Sequence, residues 1–294
     1  MRNVTGLPVL AGERCISRLG LECRRCIDAC PSAALAIGHD GRLPDLDRKL
    51  CSGCGLCSAA CPQGAWSIGW SVTAAFLGKL KAARGKAVVL ACSGVGARKE
   101  GSVAASVPCS SAVHPALLVG ARLLGIRSVT LAGGCSHCEH EAARAVLRQN
   151  LGFARIVLSL LGLEPRLRAV RAERRRHDRR EVVRMLAGKV AERGLSLLDG
   201  RMNASGNNVG WRYALATLLS GLKARRESGL AARSWLPVGS VWVDERSCHM
   251  CGACASACPT GALEVKQSSG QRLIFHSVFC TGCGACVRLC PTRA

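Results

Sequence analysis

Between Cys248 and Pro291 the chain reads CHMCGACASACP, a spacer, and then CTGCGACVRLCP, so each half is Cys-x2-Cys-x2-Cys-x3-Cys-Pro. Eight thiols in so short a stretch leave little room for an ordinary apolar core, and the spacing says what replaces it. Three thiolates on one tight loop can reach three irons of an iron–sulfur cube. The small residues between them (Gly252, Ala253, Gly282, Gly284, Ala285) let the backbone curl round such a group. A structural zinc site wants four ligands in two pairs, which is a different pattern.

The N-terminal part repeats this run. Cys51, Cys54, Cys57 and Cys61-Pro62 form a second perfect copy, and before it stands an altered one: Cys15, seven residues, then Cys23-x2-Cys26-x3-Cys30-Pro31. The sequence after each proline repeats too, as CPSAALAI, CPQGAWSI, CPTGALEV and CPTRA. Both ends resemble the bacterial two-cluster ferredoxins. The fourth cysteine of a run lies on the short helix after the loop and points away, so ligation crosses over. Cys248, Cys251, Cys254 and Cys290 are expected round one [4Fe–4S] cluster, and Cys280, Cys283, Cys286 and Cys258 round the next. In the N-terminal copy the sets are Cys15, Cys23, Cys26 and Cys61, and Cys51, Cys54, Cys57 and Cys30. Loop-closure entropy grows slowly with length, so the longer first loop need not abolish ligation; the alternative is that Cys15 is a spare thiol.

Twenty cysteines in 294 residues could mean a disulfide scaffold, but the opening MRNVTGLPVLAGERC is a poor secretory signal, its apolar stretch broken by Pro8. Thiols that must meet iron as thiolates suit a reducing compartment, hence the cytoplasm. No run reaches the length of a membrane span. The formal charge is +22. Five thiolate-bound clusters at roughly −2 each would bring it to about +12, which argues for an acidic partner surface.

Between the ends the periodicity changes. Residues 71–85 read as a helical connector. A buried strand is expected at Lys86–Cys92, a helix at Pro115–Gly125, a second strand at Ser128–Gly134, a long helix at Glu139–Leu163 with a bend at Gly152, and a third strand at Arg166–Val170. Strand and helix alternate, which indicates a small parallel α/β domain over 86–171. Residues 172–239 form a basic helical segment with a further helix at Trp211–Ser228; 164–235 hold 17 Lys+Arg against 7 Asp+Glu. The fold class is therefore mixed α+β and α/β: ferredoxin-like modules at 1–70 and 240–294 flank a parallel α/β domain and the basic segment.

Four cysteines belong to no ferredoxin run: Cys92, Cys109, Cys135 and Cys138. Cys92 closes the first strand, Cys135 and Cys138 follow the second, and the carboxyl edge of a parallel sheet is where sites form. Four thiols there suit a [2Fe–2S] cluster, with zinc as the alternative. The segment VPCSSAVHPALLVGARLLGIRSVTLAGGCSHCEHEAARAVLRQNL, with LLGLEPRLRAV after it, resembles the delta-type iron–sulfur subunit of methyl-viologen-reducing hydrogenases. That family usually has a cysteine pair at the first strand, a wider cysteine spacing after the second, and Arg and Asp where this chain has Ala112 and His114. The resemblance implies partners of the hydrogenase, formate dehydrogenase or heterodisulfide-reductase kind. No nucleophile–base pair, acid pair or flavin motif stands in the sequence, so the expectation is an electron-transfer subunit with no catalytic site of its own. A free-standing polyferredoxin is the alternative. A nucleic-acid-binding role is disfavoured, because Trp211, Tyr213 and Trp235 are too few and scattered to stack bases.

Overall fold

The computed structural model describes residues 7–68, 80, 82–92, 95, 101–133, 141–171, 211–220, 238–267 and 270–294. The chain is mixed α/β, with a four-stranded parallel sheet at its centre. Three of the central strands fall where the apolar runs place them: β5 (Ala87–Cys92), β7 (Ser128–Gly133) and β8 (Leu167–Arg171). The fourth, β6 (Ser102–Val107), was not expected and pairs in parallel with β5 along its full length, giving the order β6-β5-β7-β8. Its sequence, SVAASV, is small and weakly apolar, which an edge strand tolerates.

Two helices pack on the sheet. α3 (Pro115–Leu123) begins with proline at its first turn, and the Nδ1 of His114 caps it by accepting the Leu117 N–H at 3.3 Å. α4 (Glu141–Leu160) runs unbroken through Gly152, so the expected bend gives way to one twenty-residue helix. The core between them is aliphatic, with Leu90, Leu118, Ile126, Leu131, Leu158 and Leu167 fully enclosed. A further helix, α5 (Trp211–Ser220), sends Trp211 and Leu215 into this same core. The helix expected at Trp211–Ser228 is thus described over residues 211–220, and it helps to close the central core. Full burial of a Leu side chain contributes roughly 1.5–3 kcal/mol.

Each end of the chain carries a pair of short helices after its cysteine loops: α1 (Arg25–Asp28) and α2 (Leu56–Ala60) in the first, α6 (Ala253–Ala257) and α7 (Ala285–Arg288) in the last. Antiparallel hairpins accompany them, β2 (Leu35–Ile37) with β3 (Pro44–Leu46), and β9 (Leu263–Lys266) with β10 (Arg272–Phe275). The N-terminal module also has β1 (Pro8–Leu10) paired with β4 (Trp66–Ile68). Pro8 stands at the first position of β1, where a missing N–H is tolerated.

Candidate metal centres

The repeated sequence after each cysteine–proline pair has a geometric reason. The residue three positions after the cysteine is left-handed in every copy: Ala33 (φ 49), Gly64 (φ 65), Gly261 (φ 67) and Arg293 (φ 55). This turn aims the next N–H back at sulfur. Ala34, Ala65 and Ala262 donate to the sulfurs of Cys30, Cys61 and Cys258 at 3.3, 3.3 and 3.1 Å. Hydroxyls add to it, with Ser32, Thr260 and Thr292 at 3.8, 3.7 and 3.6 Å from the sulfurs of Cys30, Cys258 and Cys290. Donors placed round a sulfur favour its thiolate form. The cysteine loops use left-handed residues as well: Gly53 and Gly55 in the second run, Met250 and Gly252 in the third, Gly282 and Gly284 in the fourth.

The thiols gather in groups that cross between runs. Cys15, Cys23, Cys26 and Cys61 line one cavity with Trp66 and Arg25. The extra residues after Cys15 are taken up by a turn of tight helix, Ile16–Leu19, ended by left-handed Gly20. Burial pushes the Cys61 thiol up to about 11, and the neighbouring charges of Cys26 and Cys15 push the same way. Cys54 is raised by burial and by Cys30 and Cys51; Cys57 is raised by burial and then by Cys54. In the C-terminal module Cys286 is raised by burial and by Cys283, Cys258 and Cys280. Cys254 is raised by burial and by Cys248 and Cys251, whereas Thr292 lowers Cys290 through its hydrogen bond.

These donor sets fit iron–sulfur groups. Thiols that burial and mutual repulsion hold protonated are relieved when a cation arrives and the protons leave. Among the described residues no three His, Cys, Asp or Glu converge as ligands of a single ion do; thiolates of a cubane bind separate irons of a cage.

The central thiols are only half in view. Cys92 ends β5, and Cys109 follows the unexpected strand β6, so both stand at the carboxyl edge of the sheet. Cys135 and Cys138, which follow β7 in the sequence, lie outside the described residues. The Cys109 thiol stands close enough to act on Cys92, and Ser110 approaches the Cys92 sulfur at 3.1 Å through both its N–H and its hydroxyl. These contacts draw Cys92 well below the usual thiol range, while Cys92 and burial together push Cys109 far up. Cys109 also packs beside Cys54 with Leu56, Ala59 and Ala143. The central site therefore abuts the N-terminal module. Close approach there needs Gly55: a side chain would add its left-handed strain (φ 83) to a contact of 3.2 Å with Ala112.

The two end modules meet each other directly. Gln63 donates to the Thr281 hydroxyl at 3.3 Å. From α5, the Trp211 indole N–H donates to the Cys61 carbonyl at 2.9 Å, and Arg212 donates to the Cys280 carbonyl at 2.6 Å. Sequence reasoning missed both α5 residues. A lone Trp-Arg pair in a basic stretch carries no signal of its own.

The 4Fe-4S dicluster domain family matches residues 14–65 and again 247–294. The chain carries ferredoxin-type 4Fe-4S dicluster modules at both ends. It is similar to the ferredoxin-type protein NapF of Escherichia coli strain K12, 39% identical over 57 residues, which is 18% of this chain and 35% of that protein. The same protein of strains O6:H1 and O157:H7 matches equally. The chain spans about a third of the length of these curated relatives. Among the described residues no helix is long and apolar enough to cross a membrane.

Proposed function

We propose that the chain is a multi-cluster subunit relaying electrons between redox-enzyme subunits of the hydrogenase, formate dehydrogenase or heterodisulfide-reductase type. Cys15, Cys23, Cys26 and Cys61 hold one [4Fe–4S] cluster and Cys30, Cys51, Cys54 and Cys57 a second. Cys258, Cys280, Cys283 and Cys286 hold the third, and Cys248, Cys251, Cys254 and Cys290 the fourth. Cys92 and Cys109, with Cys135 and Cys138, form a central thiolate site for a [2Fe–2S] cluster or zinc. Bound there, such groups supply one-electron carriers. The protein's own residues space them, exclude water from the N-terminal set and hydrogen-bond the sulfurs.

The observation that carries this reading is the direct junction of the two modules through Gln63–Thr281 and through Trp211 and Arg212. A chain that only stored iron would have no use for ligand loops held against one another. The surplus of basic residues favours an acidic partner, which a salt-sensitive encounter rate would register. The run Arg174, Arg175, Arg176, Arg179 and Arg180, expected to serve that docking, lies outside the described residues.

The test is the iron content and EPR of anaerobically purified protein. About 16 irons are expected from four cubanes, and up to about 18 with a central [2Fe–2S]. A value near 8 would sink the four-cluster reading, and stoichiometric zinc would reassign the central site.

A further inference from the structure

Arg212 is 2% exposed, an unusual place for a guanidinium. Its Nη2 donates to the Cys280 carbonyl, and the rings of Phe153 and Trp211 stand 5.5 and 5.9 Å from its central carbon. Among the described residues its Nε and Nη1 have no hydrogen-bond partner. A guanidinium keeps its proton at neutral pH, so a buried cation stands beside the Cys280 carbonyl. An unpaired buried charge is among the costliest arrangements in a fold, and it persists where something negative faces it. Among the described residues the negative group acting on it is the thiolate of Cys280.

We propose that Arg212 is an electrostatic positioning residue for the iron–sulfur group held at Cys280: it raises the reduction potential of that one group and, with Trp211, fixes the C-terminal module against Cys61. The proposal rests on the reading that Cys258, Cys280, Cys283 and Cys286 hold a cluster. Uptake of one electron from an external donor adds one negative charge beside the guanidinium. In surroundings of low dielectric constant that charge is stabilised strongly. The other three groups lie beyond the guanidinium's hydrogen-bonding reach and gain less. Trp211 supplies the matching anchor, since its indole donates to the Cys61 carbonyl while its neighbour in sequence holds Cys280.

The experiment is an anaerobic dithionite titration of the full-length holoprotein, followed by EPR. Cys280→Ser first identifies the signal belonging to that group. Arg212→Gln keeps a planar donor without the charge, and Arg212→Lys keeps the charge without the fork. The expected result is that Arg212→Gln makes the Cys280 group at least tenfold harder to reduce, a shift of about 59 mV for a one-electron couple. The other signals hold their midpoints, and Arg212→Lys stays close to the wild type. Unchanged midpoints in Arg212→Gln at full iron content overturn the proposal, as does an equal shift in the Lys variant. If Arg212→Gln sheds iron, Arg212→Lys decides. Intact iron at the wild-type potential supports the charge, and loss of iron there too makes Arg212 mere framework and overturns it. A wild-type spectrum unaffected by Cys280→Ser would instead overturn the four-cluster reading, and this proposal with it.

Discussion

The two end modules share one repeat, yet they sit in different surroundings. In the N-terminal module Cys26, Cys51 and Cys57 are buried, Leu56 is enclosed, and α2 lies against α4 of the central domain, where Asn150 reaches the Ala59 carbonyl at 3.3 Å. In the C-terminal module every cysteine keeps some surface, Cys251 is exposed, and Val287, Leu289 and Trp242 face outward. The ligand spacing is the same, so spacing does not set the environment. What docks over the loops sets it. The N-terminal module has become part of the central domain's packing, while the side-chain hydrogen bonds described from the C-terminal module to the rest run through Arg212 and Thr281.

The largest test of that contrast is a matched truncation. Leu56→Ala removes an enclosed side chain between two domains and should destabilise the holoprotein by about 2–5 kcal/mol. Leu289→Ala, on a side chain 40% exposed, should cost about 0.5 kcal/mol. Urea unfolding followed by cluster absorbance compares the two, and equal losses would break the contrast.

Acid should reach the buried side next. His114 stacks on Trp211 at 6.2 Å and caps α3 with an unprotonated nitrogen. Although part of the residue's surface remains open, burial of the ring holds its pKa down at about 4, against an ordinary 6.5. The unfolded chain then binds the proton first. Stability is complete above pH 6.5, declines as pH falls below it and levels off below 4, by at most about 3 kcal/mol. His114→Asn keeps a capping acceptor that does not titrate. It should flatten the slope of unfolding free energy between pH 6.5 and 5, and a slope like that of the wild type would remove His114 from the account.

The smallest effect concerns the loops themselves. Met250 takes the left-handed position that glycine fills at Gly53 and Gly282. That conformation costs a non-glycine residue about 1–2 kcal/mol. Glycine also loses more entropy on folding, so the net gain from Met250→Gly should be no more than about 1 kcal/mol. Slower iron release to a chelator from the C-terminal module would register it. Faster release would show that the Met250 sulfur, 3.7 Å from that of Cys248, matters more than the strain.

The ligand loops were legible because their chemistry forces a fixed spacing, and the strands β5, β7 and β8 because buried parallel strands read as continuous apolar runs. β6 was hidden by its small residues, and with it the reason Cys109 stands at the sheet edge. The meeting of Cys109 with Cys54, and of Arg212 with Cys280, depends on packing between segments far apart in the chain. Local periodicity does not encode it. In the sequence Arg212 is one of 17 basic residues over 164–235, and only the fold shows it enclosed.

The Gln63–Thr281 hydrogen bond joins residues 218 positions apart, and Trp211 reaches back 150 positions to Cys61. A ribosome adding roughly 5–20 residues per second completes the first module on the order of 10–40 s before Thr281 exists. Throughout that interval Gln63 lacks its partner, and the Cys61 carbonyl gains its own only when α5 has been made. The junction between the two modules is therefore among the last contacts the growing chain can form.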